Sequence, residues 1–352
     1  MRSLALGAVT GAIALATGAV HALPLARLYA VDLVPTATSA VSAYGLSQND
    51  RVVGSIQGQG TFLAGLNRPF VPLQTLPRST LNQATAVNDA GEVGADGIIA
   101  FGFSIHPHGT ITGPEGQGLR DIGHLGSPQS LGSTTVLGIN ASGQLAGMSG
   151  TTAMHAYITD PHGGALRDLG SLAGASGFSA AFAINASGQV AGQSDTGIGT
   201  TMHAFLTGAN GVGMMDLGTL GGDNSQAMAV NDLGVVVGLS SLAPGKDATK
   251  HAFITGPNGA GMSDLGLLNG AGTVARGVNL DGNVAGTATA ADGSSRAFVT
   301  DDGGANLRDV NSLVKNAPTV FKAAWAINDA GHVLVTGGNG HAYLLCPTKG
   351  CL

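Results

Sequence analysis

The chain repeats itself. The segment Ile139 to Gly147 (INASGQLAG) returns as Ile184 to Gly192 (INASGQVAG) and again as Val230 to Gly238 (VNDLGVVVG). Weaker copies run from Val87 to Gly94, Val278 to Gly286 and Ile327 to Val335, and Leu46 to Gly54 is a seventh that has Ser47 in place of Asn and Asp50 in place of the first Gly. A second element follows each copy, opening on His155, His203, His251 and His341 in the form His-Ala-Phe or His-Ala-Tyr and on Arg296 in Arg-Ala-Phe-Val. Thr61 onward (TFLA) and Ala100 onward (AFGF) are assigned the same slot in the first two copies. A third element begins at Asp121, Asp168, Asp216, Asp264 and Asp309. Self-similarity with a period of about 45 residues restricts the chain to stacked or radial repeat architectures.

Each element has a local conformation written into it. Asn-x-x-Gly between apolar β-formers predicts a hairpin turn, because Asn, Asp and Gly supply the positive φ such turns need. Asn140, Asn185 and Asn231 therefore read as turn residues. The His-Ala-Phe segment is a short strand, apolar on both faces, suited to packing between two sheets. Asp-Leu-Gly begins another strand, giving about four strands per repeat. Composition agrees: charged residues are 10% of the 352, the hydrophobic set 43%, Gly numbers 58, and Glu occurs only at Glu92 and Glu115. Helical surfaces normally use Glu and Lys, so their scarcity predicts an all-β chain. Net charge is −6 and there is no basic run, which removes the usual footprint of a nucleic-acid binder.

The two ends of the chain are complementary. The last repeat stops after His341-Ala342-Tyr343 and lacks an Asp element, while an orphan one, Val31-Asp32-Leu33, stands near the start. Asp32 lies 15 residues before Ser47, as Asp216 lies 15 before Asn231 and Asp264 lies 15 before Asn279. A ring can use such a split repeat, because the first strand completes the last blade. An open array would instead need polar caps. The expectation is a seven-bladed β-propeller closed by its N-terminal strand, with a β-solenoid as the alternative.

Residues 1–22 carry Arg2, an apolar run from Leu4 to Val20 and small residues before Ala22, the pattern of a cleaved secretory signal. Residues 23–345 then form one repeat domain, and 346–352 a tail in which Cys346 and Cys351 are expected to form a disulfide in an oxidising compartment. No later segment is apolar for long enough to span a bilayer as a helix. The expected location is secreted or on the cell surface, with the periplasm as the alternative.

With these motifs in order, the chain resembles the HAF-repeat proteins, a bacterial family taken to be extracellular and named for the His-Ala-Phe tripeptide. Four copies carry that tripeptide or its Tyr variant, Asp216 to Gly222 (DLGTLGG) matches the family's downstream segment, and the likeness covers residues 28–345. It implies export and no particular activity, so no catalytic residue is carried over.

Three groups of residues could carry chemistry. His155, His203, His251 and His341 recur at one position and invite a metal reading. Equivalent residues of a ring stand far apart, however, whereas ligands must converge to about 2.0–2.1 Å from one ion. A structural partner within the blade is expected for each, as for Asp168, Asp216 and Asp264, and no metal or cofactor is assigned. Glycoside cleavage uses two carboxylates, which singles out Glu92, Glu115 and the loop residues Asp195, Asp223, Asp247 and Asp292. His106 and His108 form one close His pair outside the assigned repeat slots. None forms a recognisable constellation. The expected function is a non-enzymatic binding scaffold for an extracellular protein or glycan, the alternative a polymer-acting hydrolase or lyase.

Overall fold

The computed structural model describes residues 28–34, 39–74, 79–101, 104–126, 132–245 and 249–347. Seven four-stranded antiparallel sheets stand around a common axis, a seven-bladed β-propeller. Blade 1 begins at Val41–Leu46 and blade 7 at Phe321–Ile327, and the first strand of every blade lines the axial channel. The signal segment 1–22 and Cys351 lie outside the described residues. Cys346 ends the last strand and is fully buried.

The N-terminal strand closes the ring. Tyr29–Asp32 pairs antiparallel with Ala342–Cys346, from Tyr29 opposite Cys346 to Asp32 opposite Tyr343. The same register sets Asp216 opposite Phe205 and Asp264 opposite Phe253. Leu28 is fully buried and donates its N–H to the Leu313 carbonyl at 3.0 Å. The split repeat is thus one complete four-stranded sheet, in which the N-terminal strand covers the edge that Ala342–Cys346 would otherwise present.

Apolar surface is buried between blades, not within them. Ala146, Ala156 and Ile158 of blade 3 pack with Ala181, Ile184, Val190 and Phe205 of blade 4. The aromatic of each His-Ala-Phe strand supplies the bulk: Tyr157, Phe205, Phe253 and Phe298 are all fully buried. Burying such a ring stabilises by about 1.5–3 kcal/mol.

Two slot assignments need correction. In blade 2 the second and third strands form a long hairpin, Val93–Phe101 with Ser104–Thr112, so Ala100 lies near its tip. The residue in the His position is His108, whose Nδ1 lies 2.7 Å from the Asp121 carboxylate. His108 therefore belongs to the repeat, and constant spacing concealed it because the hairpin is longer than in the other copies. In blade 1 Gly54 pairs with Phe62 as Gly147 pairs with Tyr157, which puts Gly60, not Thr61, in the His position. Phe62 pairs there with Pro72, where the other blades have Asp. Blade 1 has lost both members of the pair together.

Candidate functional site

The His and Asp residues of the repeat bind one another on the two outer strands of five blades, blade 1 having neither residue and blade 6 carrying Arg296 in place of the His. Nδ1 of His155, His203, His251 and His341 lies 2.9, 2.9, 2.8 and 2.8 Å from a carboxylate oxygen of Asp168, Asp216, Asp264 and Asp32 respectively. Asp168, Asp216 and Asp264 each accept a second bond, from the amide N–H two residues on, which ends the fourth strand. Among the described residues no three His, Cys, Asp or Glu converge in a way that could hold a metal ion.

The turn asparagines do more than shape their turns. Oδ1 of Asn140, Asn185 and Asn231 accepts the N–H four residues on, at 3.0, 2.9 and 2.9 Å. Their Nδ2 groups then reach the next blade: Asn140 donates to Asn185 O at 3.1 Å, Asn185 to Asn231 O at 2.9 Å and Asn231 to Asn279 O at 2.8 Å. Asn88, Asn279 and Asn328 donate in the same way to Asn140 O, Asn328 O and Ser47 O. Blade 1 has Ser47 at the position of the linking Asn, and its link is made by Asn49 and Arg51, both donating to Asp89 O. A belt of side-chain hydrogen bonds thus runs around the ring from blade to blade. Asn140 and Asn185, each within an Asn-Ala-Ser sequon, are 4% and 3% exposed, which leaves no room for a glycan on either.

The remaining candidates for chemistry are tied into the scaffold as well. Glu115 forms a bidentate pair with Arg51 across the seam of blades 1 and 2, which holds its carboxyl below the usual range. Glu92 is buried between Nδ2 of Asn88 at 2.7 Å and the His162 ring at 2.7 Å. Asp195, Asp223 and Asp292 accept backbone N–H bonds in their loops, and Asp247 lies outside the described residues. The second-strand serines Ser149, Ser194 and Ser240 are fully buried, and each accepts a Leu N–H at 2.8 Å. Among the described residues, the interactions of these carboxylates are with the scaffold.

The residues that vary lie on the axis. The first strand of every blade carries a β-bulge at one equivalent position. The bulged residue is Tyr44, Thr85, Leu137 and Phe182 in the first four blades. It is Met228, Arg276 and Trp325 in the last three. A bulge leaves one residue unpaired and re-aims its side chain. The neighbours are small: Ala or Val precedes it, Gly or Ala follows. A Cβ on Gly277 would stand 2.9 Å from the Ile327 backbone of the next blade, so close approach of the first strands requires these small residues. In five blades the bulge is matched by a Gly on the second strand. A Cβ on Gly147 would come 1.9 Å from the Thr135 carbonyl, and one on Gly192 2.0 Å from that of Ala180. In those five blades the last Gly of the turn segment is therefore explained by the bulge opposite it.

All seven bulged residues are half-exposed and line one axial chamber of about 390 Å³. Leu46, Val87, Ile139 and Ile184 border both this chamber and a polar mouth of about 230 Å³ walled by the turn asparagines, Asp89, Asp232 and Asp329. In the mouth, the carboxylates of Asp89, Asp232 and Asp329 accept N–H bonds from the preceding blade. Partial burial raises the Asp329 carboxyl, opposed by the Leu280 N–H bond and helped by the charges of Asp232, Asp281 and Asp89. The chamber has the opposite character. Among the described residues its only charged lining residue is Arg276, whose guanidinium carbon sits 4.4 Å from the centre of the Trp325 ring. Tyr44 meets Trp325 edge-on at 5.2 Å, and the Trp325 indole N–H is held by Thr336 at 2.9 Å. Desolvation lowers the Arg276 pKa from its ordinary value.

The bulged residues went unrecognised in the sequence, although a signal exists. Each stands three positions before the turn Asn, or before Ser47 in blade 1, as the one variable position between small residues.

One carboxyl couples the scaffold to pH. Asp96 accepts the Val136 N–H across the seam of blades 2 and 3 at 2.7 Å, and burial pushes it from 3.8 up to about 7 despite that bond. Between these values the folded protein keeps a proton that the unfolded chain releases. The stability is complete below about pH 4 and falls as pH rises to about 7. Asp96→Asn keeps an acceptor for Val136 and removes the charge. Urea denaturation is expected to show the variant more stable than the parent by about 1–3 kcal/mol at pH 8 and equal to it near pH 4. Parallel stability profiles would show that Asp96 does not titrate in this range.

No family model matches the chain, and no curated protein matches its sequence. Solved structures do match its shape. An oligogalacturonate lyase in complex with manganese superposes with a TM-score of 0.53 at 11% identity, over 93% of this chain and 99% of that one. A prolyl endopeptidase gives 0.55 at 11%, over 87% of this chain and 47% of that one. A puromycin-hydrolyzing peptidase of Mycobacterium tuberculosis gives 0.51 at 14%, over 86% and 50%. The chain spans about half the length of each peptidase. At such identities the likeness concerns the propeller fold alone.

Proposed function

We propose that this chain is an exported binding scaffold of the HAF-repeat type whose ligand site is the axial chamber. One observation carries the reading: at seven equivalent bulges the side chain faces the chamber, and there the repeat gives up its regularity for Tyr, Thr, Leu, Phe, Met, Arg and Trp. Scaffold positions repeat because every blade solves the same packing problem. Positions that vary on a shared inner wall instead shape one asymmetric cavity, and concave apolar sites with a few polar groups are where small ligands bind. A secreted or surface location follows from the N-terminal signal pattern and the family resemblance, with the periplasm as the alternative. The hydrolase or lyase reading ranks second, since among the described residues the chamber lining offers Arg276 as its only ionised side chain and no carboxylate to serve as acid or base.

Trp325 is the chain's only tryptophan, so its emission reports on the chamber itself. Titration with soluble glycans and with small-molecule extracts of the cell envelope is expected to shift or quench that emission. Thr85→Trp would fill the chamber, and binding measured by calorimetry is expected to fall at least ten-fold in that variant. His203→Ala, on an outer strand, is expected to bind as the parent does. Binding that survives the filled chamber would move the site elsewhere on the propeller.

A further inference from the structure

We propose that the chamber selects a small organic anion, a carboxylate carried on an apolar ring-bearing body, with Arg276 holding the carboxylate. This rests on the chamber being the ligand site. The inference starts from an unbalanced charge. Arg276 lies half-buried on the channel wall, and its Nε is buried without a hydrogen-bond partner. No ion pair to it is found among the described residues, although Arg51 and Arg308 both have carboxylate partners. Buried charges are ordinarily paired, because an unpaired one loses hydration without return. Trp325 compensates in part through its ring face, over which the guanidinium carbon stands at 4.4 Å, and no hydrogen bond from the guanidinium donors is found among the described residues. Those donors form a fork that matches a carboxylate in bidentate geometry.

The rest of the wall describes the body of the ligand. Phe182, Met228, Leu137 and the Tyr44 ring present apolar and aromatic surface. A volume of about 390 Å³ lies at the small end of ligand sites, so it suits a molecule of one or two rings and not a polymer segment. The carboxylates of Asp89, Asp232 and Asp329 in the mouth beyond the aliphatic belt oppose entry of an anion from that end. The ligand therefore enters from the chamber side and stops at the belt.

The test uses the whole mature chain and three matched probes: 3-phenylpropionate, its neutral amide and glucuronate. Calorimetry and Trp325 emission are expected to show 3-phenylpropionate binding at least ten-fold tighter than the amide, with affinity falling as salt rises. Arg276→Gln should abolish that preference, so that acid and amide bind alike, and Arg276→Lys should restore only part of it. Equal binding of acid and amide would overturn the anion site and leave the chamber as a neutral-ligand site. Tighter binding of glucuronate would overturn the apolar body. If neither the acids nor the amide bind or perturb Trp325, the chamber is not the ligand site and both readings fall.

Discussion

A mature chain shortened to begin at Leu33 is expected to lose most of its stability. The deletion strips the Tyr29–Asp32 strand from Ala342–Cys346, uncovers the pocket that buries Leu28 and leaves His341 without its carboxylate. Losing a fully buried Leu and a ladder of backbone bonds costs roughly 5 kcal/mol or more, against a total stability of about 5–15 kcal/mol for a typical domain. The exposed edge of the last blade also becomes a template for aggregation. Thermal melts and urea denaturation should place the truncated chain near or past its unfolding midpoint at 25 °C. A peptide spanning residues 28–34, added in trans, should recover stability in proportion to its concentration. Asp32→Ala, which keeps the strand, should cost only about 1–3 kcal/mol. A truncated chain that melts with the parent would mean that ring closure contributes nothing.

The second large effect is expected at the hydrogen-bonded belt. Asn185 is 3% exposed and makes four bonds, to Asn231 O, Gln189 Oε1, Gln189 N and the Ser187 hydroxyl. Asn185→Ala leaves a buried carbonyl and a buried amide unsatisfied, and urea denaturation should show a loss of about 2–4 kcal/mol. Asn185→Ser should fall between the two, on the pattern of blade 1: there the Ser47 hydroxyl accepts the Arg51 N–H at 3.2 Å within its own turn, and Asn49 and Arg51 make the link to blade 2. A loss under about 0.5 kcal/mol for the Ala variant would reduce the belt to turn chemistry, since such a value is typical of surface substitutions.

The departures of the first copy from the repeat have a physical basis in the seam it forms with the last blade. Asp50, at φ 65° where the other turns have Gly, accepts from Asn328 Nδ2 at 2.8 Å and pairs with His332 at 2.6 Å. Gln48 accepts the Asp329 N–H at 2.8 Å. What reads in the sequence as decay of the motif is a set of extra bonds across the junction where the chain begins and ends. The misplaced slot in blade 2 has a different origin. Motif spacing measures hairpin length, and the hairpin Val93–Phe101 with Ser104–Thr112 is longer than its counterparts, so His108 was out of step with the expected period.

The sequence by itself determined the seven-fold repetition, the four strands per unit, the turn positions and the sharing of one blade between the two termini. These depend on short-range rules of φ, alternation and spacing, which each copy states independently. Only the tertiary structure decided which face of the first strand meets the axis, that the turn asparagines bind the next blade, and that Tyr44, Arg276 and Trp325 share one chamber although hundreds of residues separate the first from the last. Contacts between copies arise from the radius and closure of the ring. A linear motif carries no record of that geometry, so the positions that give this propeller its individual chemistry show in the sequence only as places where the repeat fails to repeat.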